Sequence, residues 1–232
     1  MKRASRAGVW AAVAGVVVTG LPAVVYAHAD STNPDTLPQT SRPLLAVVGA
    51  SISAGSGAKS PDQAYPALLA TQLGWQSEVS AEPGAGYIAR GKHRLGPMLH
   101  LLAKLQLTLH QPRMVIVQAG YNDIGEPPSQ LADSVRAVIG EIQAQAPDAA
   151  IGVLTIFPKG RASPAAWATD TLIVDAARDA DRHVYVFDPL ASRWTFPTQS
   201  DREHPTAGGQ RWIAERLASE FRKDGLIPAA HG

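Results

Sequence analysis

With 232 residues, 45% hydrophobic and 18% charged, the chain has the apolar mass for one globular domain with a full core. Its formal net charge is +1, and its lysines and arginines are scattered. That excludes a nucleic-acid-binding stripe and a polybasic membrane patch, and the lack of cysteine excludes disulfides and a lipid-modified amino-terminal cysteine.

Lys2, Arg3 and Arg6 precede an uncharged run from Ala7 to Ala27, which ends at small-residue cleavage sites, Val25-Tyr26-Ala27 or Ala27-His28-Ala29. This pattern predicts a signal peptide over residues 1–29 and export to the cell envelope or beyond. An uncleaved membrane anchor is the alternative, and Gly20 and Pro22 argue against it by breaking the helix near its end. Residues 30–43 read as a flexible linker, 44–222 as the globular domain and 223–232 as an unpatterned tail. A monomer is expected, with no stable membrane insertion of the mature chain.

Leu44-Leu45-Ala46-Val47-Val48 is an aliphatic run that stops at Gly49-Ala50-Ser51, so Ser51 is expected just past the carboxyl end of a strand buried on both faces. Ser60-Pro61-Asp62 offers caps for a helix that ends at Gly74. A short strand over Gln76 to Ser80 follows, then Gly84 and Gly86, and a leucine-rich helix over Leu95 to Leu109. Met114 to Gln118 is a second buried strand, ending in Gly120-Tyr121-Asn122-Asp123. Ser129 is read as the cap of a helix whose apolar face is Leu131, Val135, Val138, Ile139 and Ile142. Next come a strand over Ala150 to Ile156, a helix from Ser163-Pro164 to about Ala180, and a strand over Val184 to Phe187. An irregular loop, Asp188 to Pro205, leads to a last helix with Ile213, Leu217 and Phe221 on one face. Strands alternating with helices argue for a parallel sheet covered on both sides. In such sheets ligands bind outside the carboxyl ends of the strands.

Gly49-Ala50-Ser51-Ile52-Ser53, Gly120-Tyr121-Asn122-Asp123 and Asp201-Arg202-Glu203-His204-Pro205, in that order, resemble the first, third and fifth blocks of the SGNH (GDSL-type) hydrolases. The resemblance spans roughly residues 43 to 222 and implies a three-layer α/β/α sandwich, flavodoxin-like, with a mainly parallel sheet of about five strands. The glycine of the remaining block aligns with Gly84, with Gly86 as the alternative. Ala50 departs from the pattern, which has aspartate there, and the departure concerns hydrogen bonding within the turn.

A serine hydroxyl becomes a nucleophile when a base takes its proton, and the base needs a third group to fix its tautomer. Ser51, His204 and Asp201 fit these roles. Of the seven histidines, His204 alone has an aspartate three residues before it and a proline after it; His100 and His110 belong to a helix surface or end. Asp188 is the second choice for the acid. The resemblance further implies an oxyanion hole from the Ser51 N–H, the Gly84 N–H and the Asn122 side-chain amide. Asp123 is expected to hold the Gly120 to Gly125 loop. Tyr87, Tyr121, Trp194 and Phe196 lie near these residues in sequence and are candidates for the pocket or the core.

Residues 53–60 lack the glycines of a phosphate loop, the Gly-x-Ser-x-Gly elbow is absent, and no histidine and carboxylate cluster has zinc spacing. No metal or cofactor is expected. The function read from the sequence is an exported serine esterase acting on carboxylic esters or O-acyl groups of lipids or glycans. An acyltransferase using the same site and a non-catalytic binding module are the alternatives. Short connections leave no room for a large lid, which favours small or surface-displayed esters.

Overall fold

The structure, a computed structural model, describes residues 42–227. The expected signal peptide, most of the linker and the end of the tail lie outside the described residues. Strands β1 (Leu44–Gly49), β2 (Gln76–Ala81), β3 (Met114–Gln118), β4 (Ala150–Leu154) and β5 (Tyr185–Phe187) form one parallel sheet in the order β2-β1-β3-β4-β5. This is the flavodoxin-like order. The chain leaves β1 toward one edge and returns to its other side at β3, so the crevice between the carboxyl ends of β1 and β3 is the switch point.

Side chains alternate along a strand, and the alternation divides the core. Ala46, Val48, Val115 and Val117 face α2 (Met98–Leu102), α4 (Pro128–Gln145) and α5 (Pro164–Ala180). Leu45, Val47, Met114 and Ile116 face α1 (Tyr65–Leu73) and α6 (Ala207–Lys223).

Several helix boundaries differ from expectation for reasons of backbone chemistry. Pro66 lacks an N–H and its ring crowds the carbonyl four residues back, so no single helix runs from Ser60 to Leu73. Instead a 3₁₀ turn over Pro61–Gln63 precedes α1, Ala64 is the cap, and the Ser60 side chain makes no capping bond. Likewise α4 starts at Pro128, whose fixed φ suits the first helical position, so Ser129 lies inside it. The leucine-rich stretch breaks into α2, a 3₁₀ turn over Ala103–Leu105 and α3 (Leu107–His110), because Gln106 adopts a left-handed φ of 45°. That kink keeps Leu101, Leu102, Leu105 and Leu107 all buried. At the end of α3, His110 Nδ1 lies 2.6 Å from Glu78 of β2.

β4 ends at Leu154 rather than Ile156, since β5 pairs over three residues and Asp170 of α5 takes the Ile156 N–H at 3.1 Å. Asp170 is 2% exposed; burial first, and then the charge of Asp188, pushes its carboxyl up to about 6. The folded state therefore holds a proton here between about pH 4 and 6 that the unfolded chain has released. Wild-type stability falls as pH rises through that window and stays lower above it. Asp170→Asn keeps an acceptor for Ile156 and carries no charge, so it should be more stable than wild type at pH 7–8 by on the order of 1–3 kcal/mol, narrowing toward pH 4. Urea unfolding of both proteins across pH 4–8 checks this; a gap that does not change with pH would contradict it.

Candidate active site

The turn after β1 is held by a residue from β3. Gln118 is 5% exposed, and its Oε1 accepts from the Ala50 N–H (3.2 Å), the Ser53 N–H (3.4 Å) and the Ser53 hydroxyl (3.0 Å). Because Ser53 Oγ donates there, the Tyr65 hydroxyl donates to Ser53 Oγ at 2.8 Å. The turn is thus bonded without the aspartate that Ala50 replaces: an acceptor from the neighbouring strand does the work. Gln118→Leu strands the Ser53 N–H in a buried site and takes the acceptor from the Ser53 hydroxyl, while the Ala50 N–H keeps the backbone carbonyl of residue 118; it should cost about 2–3 kcal/mol and lower ester turnover as the turn relaxes. Denaturant titration and initial rates read both effects; unchanged values would show that the bonds contribute nothing.

Ser51 itself is half-buried at the switch point. His204 Nε2 lies 2.9 Å from Ser51 Oγ, and His204 Nδ1 lies 2.7 Å from Asp201 Oδ2. With Nδ1–H donating to the carboxylate, Nε2 is left as the acceptor for the serine proton. Asp201 Oδ1 meanwhile accepts the Glu203 and His204 N–H groups, each at 3.0 Å, so one side chain shapes the loop and orients the ring. The bond from His204, then those backbone bonds, hold the Asp201 carboxyl down at about 2, so it is ionised at any working pH. Asp188, the second choice, accepts from the Ala191 N–H and makes no bond to His204.

Besides the Ser51–His204 bond, two contacts tie the serine turn to the histidine loop and to the helix that follows it. Gly57 has a positive φ of 81°, and a Cβ there would lie 1.8 Å from the Pro205 carbonyl oxygen, so only glycine lets these loops meet. Gln210 of α6, fully buried, donates through Nε2 to Ile52 O (3.2 Å) and Ser56 O (2.9 Å) and accepts the Tyr65 N–H through Oε1 (2.8 Å). Thr206 caps α6 by accepting the Gly209 N–H.

Of the oxyanion candidates, Ser51 and Asn122 line one small pocket with Gln118, Tyr121, Ile156 and Phe157. The Asn122 amide donates one N–H to Ala85 O at 2.8 Å, which leaves the other for a ligand. The Ser51 and Gly84 N–H groups make no hydrogen bond among the described residues, and Gly84 is not part of the pocket lining. The Gly86 N–H is already donated to Ala89 O, and a Cβ at Gly86 would lie 2.3 Å from the Asp123 carboxylate. Asp123 is fully buried and accepts the N–H groups of Tyr87, Ile88 and Ala89, so it holds the loop after β2 through side-chain bonds rather than the expected Gly120 to Gly125 loop.

Among the candidate aromatics, Tyr121 lines the pocket and Tyr87 is buried in the core. Trp194 and Phe196 pack edge-on against Phe157, itself a lining residue. Ile156, Phe157, Gln118 and Glu203 are lining residues that the motifs do not indicate. Glu203 pairs with Lys159 at 2.7 Å, and Lys159 sits over the Tyr121 ring. The pocket is small, about 20 Å³.

A polarised serine at the switch point of a parallel sheet is the working part of a serine-type ester hydrolase. Residues 47–221 match the GDSL-like lipase/acylhydrolase family, and the chain belongs to that family. Similar solved structures include a family two carbohydrate esterase from Clostridium thermocellum in complex with cellohexaose (17% identity, TM-score 0.66, 82% of this chain and 67% of that one). The psychrotrophic esterase EstA from Pseudoalteromonas sp. is 18% identical, with TM-score 0.61 over 79% of this chain and 98% of that one. The salicylyl-acyltransferase SsfX3 from a tetracycline biosynthetic pathway is 20% identical, with TM-score 0.64 over 83% of this chain and 57% of that one. The chain spans about two thirds of the length of the carbohydrate esterase. No curated protein sequence matches it.

Proposed function

We propose that the protein is an exported esterase that removes short acyl groups, acetyl above all, from O-acylated glycans through an acyl-enzyme. Ser51 is the nucleophile, His204 the base and Asp201 the orienting acid; the observation that carries this is the continuous 2.9 Å and 2.7 Å relay. Ser51 Oγ attacks the ester carbonyl carbon as its proton passes to His204 Nε2. The oxyanion takes hydrogen bonds from the Ser51 N–H and the free Asn122 N–H, which line the pocket, and the unbonded Gly84 N–H outside that lining is the third candidate donor. His204 then protonates the leaving alkoxide, the C–O bond breaks, and the acyl group stays on Ser51. Water repeats the sequence with His204 as base, releasing the acid and restoring the serine.

The pocket of about 20 Å³ supports an acetyl-sized acyl group, and the carbohydrate-esterase likeness supports a glycan alcohol. Activity on p-nitrophenyl esters is expected to fall at least 10-fold from acetate to butyrate and further at octanoate. Equal rates on octanoate would overturn the short-acyl reading. Amino-terminal sequencing of protein recovered from culture medium tests export, with a start after Ala27 or Ala29 expected. The acyltransferase likeness favours a second reading, in which an alcohol replaces water on the same acyl-enzyme. Adding an acceptor sugar and measuring acyl-sugar against free acid decides between them.

A further inference from the structure

Beyond the small pocket the cleft opens in two steps. The pocket shares Tyr121, Ile156 and Phe157 with a chamber of about 120 Å³, and that chamber shares Arg161, Ser163 and Leu190 with an open groove of about 850 Å³. The charged residues lining the groove are Arg161 and Arg193, with no carboxylate among its lining. Neither guanidinium has an ion-pair partner among the described residues, although Arg136 and Arg216 elsewhere on the surface do. Arg202, outside that lining, has its guanidinium carbon 3.9 Å from where a Cβ of Gly160, a lining residue, would stand.

Two further observations mark the groove as a place for a ligand. Trp167, near the start of α5, lines it while 43% exposed, one of three large apolar side chains left open to solvent among the described residues. Arg193 is held at a positive φ of 51° by a turn in which its N–H bonds Leu190 O and the Trp194 N–H bonds Pro189 O. A non-glycine residue pays a strain cost in that region, and such strain collects where function needs a side chain presented.

We propose that this groove binds the alcohol portion of the substrate and selects glycans bearing anionic groups, carboxylate or sulfate; the proposal rests on the esterase reading above. Guanidiniums without a counter-charge leave the groove positive, and an anionic group of a ligand supplies that charge while accepting paired N–H bonds in the geometry arginine favours. The exposed indole of Trp167 supplies a flat apolar face for a pyranose ring. The groove is open and cationic, so an anionic sugar fits it better than an acyl chain.

The test begins with binding, which needs no turnover. Calorimetry of the wild type with tetragalacturonate, a sulfated chondroitin tetrasaccharide and neutral xylotetraose is expected to give at least 10-fold tighter binding of one or both anionic sugars, weakening as salt rises. The Arg161→Gln/Arg193→Gln protein should lose that preference, and Trp167→Ala should weaken all three sugars. Thermal midpoints confirm that the variants are folded. Equal affinity for neutral and anionic sugars, a preference retained in the double variant, or binding to anionic phospholipid vesicles in place of sugars would each overturn the proposal. Rates on acetylated oligogalacturonate and acetylated xylo-oligosaccharide, each divided by the rate on p-nitrophenyl acetate, complete the test. Loss of all ester cleavage in the wild type would instead sink the esterase reading, and the binding result would still decide the groove.

Discussion

Ser51→Ala should lower kcat/KM on p-nitrophenyl acetate by roughly 10⁴–10⁶-fold while the thermal midpoint moves little. The substitution deletes one hydroxyl whose partner is His204 Nε2. The turn does not depend on that hydroxyl, because its bonds run through backbone and through Gln118: Ser56 N–H to Ser51 O, Ala54 N–H to Ala50 O, and the three bonds to Oε1. Ser53 cannot stand in as nucleophile, since it is 1% exposed and both its hydrogen-bonding directions are filled by Tyr65 and Gln118. Initial rates and a melting curve on the same preparation are enough. A folded variant with activity within 10-fold of wild type would remove Ser51 from the mechanism.

Asp201→Asn should cost up to ~10⁴-fold in rate, through geometry as much as charge. The asparagine can still accept the Glu203 and His204 N–H groups, so the loop should keep its shape. Where Oδ2 now accepts from His204 Nδ1 at 2.7 Å, however, the amide presents a donor. The ring answers by moving its proton to Nε2, which can then no longer take the proton of Ser51. In the wild type the Asp201 carboxyl lies at about 2 instead of 3.8, so the stability from its ionisation is complete above about pH 4 and is lost as pH falls toward 2. The difference in unfolding midpoint between wild type and variant should therefore shrink as pH falls below 4. A variant of wild-type rate would require another acid, and Asp188, bonded to Ala191, is poorly placed to serve.

The strands were legible because a doubly buried parallel strand leaves an unbroken aliphatic run, as in Leu44 to Val48 and Met114 to Gln118. The serine turn, the asparagine turn and the histidine loop were legible because each motif closes within a few residues. Gln118 and Gln210 were not, since their meaning lies in partners 65 to 158 positions away, and no local pattern marks a glutamine as a clamp. At Pro66, Pro128 and Gln106 the helix boundaries depart from side-chain periodicity because the backbone conformation decides them.

Gln210 and the contact of Gly57 with Pro205 also make the serine turn depend on the far end of the domain. The bonds among the serine turn, Tyr65 and Gln118 need only β1, α1 and β3. The buried clamp on Ile52 and Ser56, and the imidazole 2.9 Å from Ser51 Oγ, come from the last helix and the loop before it. A chain cut before residue 204 would therefore carry a serine hydroxyl with neither that clamp nor a histidine beside it. The segment that completes the packing on one face of the sheet is also the one that brings the imidazole to Ser51.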